Sequence, residues 1–390
     1  MLQAGTRQGL LTSVFRLPVP SHITSRLQAK GTTPPYSIKP APPSSSRPLL
    51  TTMATADPAQ QPESAHNVCI EQFSRWIPAL SASSYKGQQG KIGVVGGCVE
   101  YTGAPFFAAH SAHKVGADLT YCISMPEAAP VLKGFSPDMM VMPYLPDTND
   151  EQAASFRRYE PKLQGIIGRM SALIVGPGLG DDPGTVKVAI KIIKMACERD
   201  LPLLIDGSGL NIVAKDPSII KGYKNCILTP NVAELGRLAK AVGVQLEGPV
   251  STAWQEAAPQ VAAAFEGPVL VSKGPADIIT DGCTTLSCEV ASGLKRSGGQ
   301  GDIMAGVVAT FVSWSRAAQK GPGGGLLPSV EALPITSNLD TASLLVSAYA
   351  GCAVLRTASN KAFRLKGRSL MAPDIIEHLA EALEHQFPNA

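Results

Sequence analysis

The sequence predicts one three-layer α/β/α domain on a mostly parallel sheet with an antiparallel edge. Three observations lead there. Short apolar runs ending in glycine or aspartate alternate with stretches of helical spacing from Lys91 onward. The alternation contains no internal linker and shows no repeat period. Late in the chain, two strand-like runs meet directly at Lys273-Gly274-Pro275 and, with TTLSCEVA, form an antiparallel edge.

Bulk properties narrow the class further. With 34 basic against 31 acidic residues the net charge is +3, so nothing indicates nucleic acid or an acidic surface as partner. No uninterrupted apolar run reaches a membrane span, and no membrane association is expected. Self-association is left open. The 8 cysteines are scattered without a C-x-x-C pair, which reads as reduced thiols serving mostly as small core residues. His110 and His113 share a helix face but have no third ligand nearby, so they read as structural.

The N-terminal stretch is excluded from the fold. Residues 1–56 hold no acid, while Arg7, Arg16, Arg26, Lys30, Lys39 and Arg47 are spaced through a Ser-, Thr- and Pro-rich background. That composition fits a mitochondrial transit peptide and equally a disordered leader. Met53 offers a second start, so both mitochondrial and cytoplasmic forms are conceivable. The leader is taken to extend over 1–64.

Beyond it, KIGVVGG is a strand ending in glycines, TGAPFFAAHSAHKVG a helix and ADLTYCIS a second strand, together a βαβ unit. SALIVGPGLGDD is a buried strand running into a glycine turn, and TVKVAIKIIKMACERD an amphipathic helix. LPLLIDGSGL places Asp206 at a strand's carboxyl end; a helix ending near Pro217 follows. CILTPNVAELGRLAKAVGV supplies a strand and a helix whose Asn231 and Glu234 have the spacing of a capping box. A helix from Trp254 to Phe265 precedes the antiparallel pair. A long apolar helix follows Gly301, then a Gly- and Pro-rich surface insertion near 318–338, and helices over Asp340–Ala358 and Ala372–His385.

Chemistry is expected at one rim. Ligands of open parallel sheets bind at the strands' carboxyl ends, where the turns at Gly96-Gly97, Gly176–Gly180 and Gly298–Gly301 join Asp206 and Asn231. VGPGLG resembles a dinucleotide fingerprint, but Asp181 stands where its last glycine belongs. GQQGK has the wrong spacing for a Walker loop, and neither G-x-S-x-G nor H-E-x-x-H occurs. KRSGGQGDIMAG remains: a glycine turn opening a buried helix, whose free N–H groups and dipole suit a phosphate. Asp302 reads either as an N-cap or as a base held where the phosphate arrives. Donors of this kind contribute roughly 3 kcal/mol each to a transition state.

G-G-Q-G-D at a helix start resembles the anion-hole motif of the ribokinase-like superfamily. YTGAPFFAA with GADLTY, IVGPGLG, LIDGSGL, LTPNVAELGRL, VSKGPAD and SGGQGDIMAG, in that order, resemble the ATP-dependent (S)-NAD(P)H-hydrate dehydratase family over roughly Ser81–His385. The resemblance implies a ribokinase-like catalytic domain over 65–390, ATP with Mg2+ as cofactors, and a hydrated NADH or NADPH (NADHX or NADPHX) as substrate. ATP would be held by Lys273, Gly274, Pro275, Ala276 and Asp277, and by Ser292, Gly293, Leu294, Lys295, Arg296, Ser297, Gly298, Gly299, Gln300 and Gly301. The substrate would contact Gly103, Gly178, Asn231, Val232, Ala233, Glu234, Leu235, Gly236, Arg237 and Asp302. Asp302, with Gly299 and Gly301, would be catalytic; the resemblance assigns no metal ligand. Asn231 and Glu234 serve equally as helix cap or ligand, while for Lys273 a solvated turn residue is the lesser reading beside the ATP contact. Met142 departs from the histidine that many relatives carry there. A kinase of hydroxymethylpyrimidine, hydroxyethylthiazole or pyridoxal is the alternative, and a regulatory nucleotide binder a third reading that Asp302 speaks against.

Overall fold

Strands β1 (Lys91–Val95), β4 (Ala172–Val175), β5 (Leu203–Ile205), β6 (Cys226–Leu228) and β7 (Val269–Ser272) are buried almost throughout. Near-continuous apolar runs of this kind suit a parallel sheet covered on both faces. A computed structural model describes residues 64–247, 252–321, 325 and 338–388. The sheet has 9 strands in the order β3-β2-β1-β4-β5-β6-β7-β8-β9, with β2 at Leu119–Ile123, β3 at Met139–Met142, β8 at Asp277–Thr280 and β9 at Thr285–Cys288. From β3 to β7 every neighbouring pair is parallel. Only the pairs β7–β8 and β8–β9 are antiparallel, at the expected edge.

Two apolar layers flank the sheet. One is closed by α1 (Ala65–Ser74), α2 (Gly103–Lys114), α10 (Gln300–Ala318), α11 (Leu339–Lys366), α12 (Ala372–Glu377) and α13 (Leu379–Gln386). The other is closed by α4 (Glu160–Ile167), α5 (Pro183–Glu198), α6 (Ser208–Lys215), α7 (Val232–Ala241) and α9 (Ala258–Phe265). The helix α3 (Ala129–Phe135) leads into the edge strand β3. This is the expected three-layer α/β/α arrangement.

Several boundaries differ from the sequence reading. The helix expected over Trp254–Phe265 is two, α8 (Thr252–Glu256) and α9. Pro259 lacks an N–H and crowds the preceding turn, so it starts a helix and does not continue one. The helix expected to stop at Ala358 runs on to Lys366 and ends at Gly367, whose φ of 53° breaks it. The C-terminal helix divides at His378, and Met139–Met142 is a strand that the sequence reading left unassigned. By length and composition α11 could cross a bilayer, but its apolar window is wholly buried inside the protein. The leader up to residue 63 and most of the expected insertion lie outside the described residues.

Candidate active site

The carboxyl ends of β1, β4, β5, β6 and β7 are adjacent, so their turns make one rim. Glycines stitch it. Gly97 N donates to Gly178 O at 3.0 Å, joining the turns after β1 and β4. A methyl on Gly96 would lie 1.9 Å from Pro177 O, and one on Gly176, where φ is 126°, would lie 1.8 Å from Asp206 O. Backbone touches backbone there, and only glycine allows it.

Asp206, 3% exposed, follows β5. Its Oδ1 accepts from Thr229 Oγ1 at 2.7 Å and from Lys273 Nζ at 2.8 Å. Lys273 follows β7 and also lies 3.9 Å from Glu234 Oε2. It is an ion-paired residue of the rim, which removes the solvated-turn reading. Asn231 and Glu234 form a complete capping box at α7: Asn231 Oδ1 accepts from Ala233 N and Glu234 N, each at 3.0 Å, and Glu234 Oε2 accepts from Asn231 N at 2.8 Å.

The glycine turn of GGQG enters from the helical layer. Gly299 is the N-cap of α10 with φ of 91°, and Asp302 is its third residue. The N-cap reading of Asp302 is therefore corrected. The turn needs a left-handed residue, and a methyl at Gly299 would press on Ala372 Cβ at 2.7 Å and Phe107 at 2.8 Å. Gln300 Nε2 braces the turn through Lys295 O at 3.1 Å and Ser297 Oγ at 3.2 Å. Gly301 meets the ion pair: a methyl there would stand 3.1 Å from Lys273 Nζ and 3.6 Å from Asp206 Oδ2.

Asp206 and Glu234 thus flank the Lys273 ammonium, and Asp302 lies close enough to feel all three charges. Burial pushes the Asp302 carboxyl up, to about 7; Asp206 and Glu234 add repulsion, while Lys273 and the Asp302 amide oppose. Burial also raises Glu234, against the pull of Lys273. Burial alone would lower Lys273, but Asp206, Glu234 and Asp302 outweigh it and hold the ammonium charged. A carboxyl that titrates near neutrality suits a group that takes up a proton.

Beside this cluster opens a cavity of about 210 Å³. Lys273, Gly274 and Asp277 line it from the β7–β8 turn, and Ser292, Arg296, Gln300 and Gly301 from the second stretch; Asn231 stands at its edge. Gly298 has nothing near its Cβ position and lies open. Leu294 is exposed, Lys295 Nζ donates to Arg368 O at 2.6 Å, and Gly293 packs on Phe363 and Ser359. Pro275 and Ala276 are held through their carbonyls, Ala276 O by Gln255 Nε2 at 2.6 Å and Pro275 O by Arg356.

Of the residues expected to contact substrate, Gly103 is the first residue of α2, with only Phe107 near its Cβ position. Gly178 packs against Tyr101, and Val232, Ala233 and Arg237 lie in the first two turns of α7. Leu235 is fully buried in the core and Gly236 abuts the Trp254 ring, so both seat the helix. Sequence reasoning missed Thr229, Gln255, Met304, Leu355, Arg356 and Ser359. Only Arg356 carried a signal, as the one charge inside SLLVSAYAGCAVLRTAS.

A roomier depression of about 780 Å³ lies at the opposite rim, by Ser171, Pro202 and Arg316 at the amino ends of β4 and β5. It faces none of the glycine turns or raised carboxyls, so the smaller cavity is the candidate site. Among the described residues no group of three or more His, Cys, Asp or Glu side chains could hold a metal ion.

A family model described as NAD(P)H-hydrate dehydratase matches residues 92–381. The ATP-dependent (S)-NAD(P)H-hydrate dehydratase of Emericella nidulans is 35% identical over 340 residues, covering 81% of this chain and 92% of its own. Its counterpart in Bos taurus is 38% identical over 312 residues, covering 80% and 87%. Among solved structures, a ribokinase-like superfamily protein from Enterococcus faecalis superposes with a TM-score of 0.58 at 19% identity, over 81% of this chain and 94% of that one. The ADP/ATP-dependent NAD(P)H-hydrate dehydratase from Bacillus subtilis, co-crystallised with ATP/Mg2+, gives 0.54 at 17% identity, over 81% and 97%. The structures speak to the fold and the sequence relatives to the family: the chain belongs to the NAD(P)H-hydrate dehydratase family.

Proposed function

We propose that this protein restores NADH and NADPH from their (6S) hydrates at the expense of ATP. The observation that carries the reading is Asp302, a carboxyl poised near neutrality within the first turn of the helix that faces the candidate nucleotide cavity. ATP would lie between the Lys273–Asp277 turn and the 292–301 stretch, with the hydrated ring on the side of Gly103, Gly178 and α7.

Asp302 takes the proton of the C6 hydroxyl, and that oxygen attacks the γ-phosphorus as the bond to ADP breaks. The free amides at the start of α10 meet the charge on the moving phosphoryl group. Lys273, held by Asp206, adds a positive charge at the same place. Phosphate then leaves C6, pushed by the ring-nitrogen lone pair, and loss of a C5 proton restores the dihydronicotinamide. Hydroxide is a poor leaving group and phosphate a good one, which is why a kinase-like site can perform a net dehydration.

Mg2+ binds mainly through phosphate oxygens and water, with one or two carboxylates. Asp206, Glu234 and Asp302 are the carboxylates at hand, so the donor set fits a metal carried in by ATP and not a protein cage. When bound, the ion would neutralise phosphate charge. The acid-free leader supports mitochondrial delivery, and a start at Met53 a cytoplasmic form; residues 1–56 fused to a fluorescent reporter test this.

The assay combines purified protein, Mg2+, ATP and hydrated NADH and follows the dihydronicotinamide absorbance. Recovery above an ATP-free control is expected. No recovery, with phosphorylation of a vitamin precursor instead, would move the assignment to a small-molecule kinase.

A further inference from the structure

The two stretches that frame the cavity are separated in sequence by the β8–β9 hairpin, and neither pairs with the other in the sheet. One side chain reaches from the first stretch to the residue just ahead of the second. Arg356, 7% exposed, projects from the middle of α11. Its NH1 donates to Asp277 Oδ2 at 3.1 Å and to Gly274 O at 3.4 Å, and its NH2 donates to Pro275 O. Its Nε donates to Val290 O at 2.5 Å, two residues before Ser292. One turn further along α11, Asn360 Nδ2 reaches Ser292 O at 3.5 Å.

We propose that Arg356 is the positioning residue of the nucleotide cradle, clasping the 273–277 turn to the 290–292 strand exit and so setting the gap that ATP enters. This rests on the reading that these two stretches hold ATP. A buried ion pair with Asp277 alone would be weak evidence, since such pairs often add little to stability. The carbonyl contacts distinguish the case. Gly274, Pro275 and Val290 offer lone pairs from two irregular segments, and a planar fork with five donors satisfies them together with the carboxylate. A lysine would keep the charge for Asp277 but could not span these acceptors. Holding both stretches apart before ATP arrives removes an ordering cost from binding.

The test uses full-length protein and Mg·ATP, comparing wild type with Arg356→Lys and Arg356→Gln by calorimetric titration and steady-state kinetics. Wild type is expected to bind. Both variants are expected to weaken ATP by about tenfold or more, in Kd and in KM for ATP alike. The KM for the hydrated dinucleotide and the pH midpoint of the rate should not move. Full rescue by Arg356→Lys, or a fall in kcat with KM for ATP unchanged, overturns the clasp while leaving the ATP reading intact. Absence of ATP binding in wild type overturns that reading, and the clasp with it. Hydrogen exchange on wild type answers independently should either variant fail to fold. The clasp requires slow exchange of the amides of Gly274, Ala276, Asp277 and 291–294 already without ATP; fast exchange there, slowed only by ATP, overturns it.

Discussion

Two glycine turns of this protein look alike in sequence and differ in what they do. In GPGLG, after β4, glycine is consumed by packing: the Gly176 Cα lies so close to the Asp206 carbonyl that a methyl would come within 1.8 Å. In GGQG, at the start of α10, Gly298 is open and Gly301 faces the side-chain tips of Lys273 and Asp206. The first turn locks neighbouring strand ends together; the second brings backbone up to charged groups. A glycine-rich motif therefore states that something comes close, and the tertiary neighbour decides whether that is scaffold or ligand.

The largest expected effect belongs to the second turn. Asp302→Asn should cut kcat by about 10²- to 10⁴-fold, the usual share of a general base, while Mg·ATP binding by calorimetry persists. Near-normal turnover would end the base assignment. In wild type, kcat/KM should fall about tenfold per unit as pH drops below the Asp302 value of about 7. Stability moves in the opposite direction with pH. The folded-state carboxyl lies above its ordinary 3.8, so its contribution is full below that value and is lost as pH rises through about 7. The melting temperature of Asp302→Asn relative to wild type should thus climb between acid and mildly alkaline pH; a constant difference would contradict the raised carboxyl.

Next comes the scaffold turn. Gly176→Ala must place a methyl against a backbone carbonyl at φ of 126°, with roughly 3 kcal/mol of destabilisation expected in denaturant titration. Wild-type stability in that variant would erase the contrast between the turns. Gly301→Ala should fold normally, since the nearest atom is a flexible lysine tip at 3.1 Å, yet lose about tenfold in turnover because a methyl intrudes on the phosphate path. The smallest effect is at Gly298→Ala, where stability should change by no more than about 0.5 kcal/mol. If Gly301→Ala and Gly298→Ala behave alike in kinetics, the approach of Gly301 to Lys273 carries no function.

Much of the fold was legible because its signals are local. Alternating apolar runs and helical spacing specified the βαβ units, and Asn231 with Glu234 announced a cap that forms in full. Boundaries were misread where a single residue outweighed a pattern. Pro259 divided one helix, and α11 ran past Ala358 because nothing stops it before Gly367. The strand Met139–Met142 escaped notice since only its pairing with β2 defines it.

The sequence by itself determined the βαβ alternation, the glycine turns after apolar strands and the identity of the acidic residue behind GGQG. Only the tertiary structure decided that Asp206, Glu234, Lys273 and Asp302 converge, although they are spread over four segments of the chain. Strand order brings them together, and strand order is set by long-range pairing. The raised Asp302 carboxyl and the Arg356 clasp have the same origin: both depend on burial among residues distant in sequence, a property that no local pattern encodes.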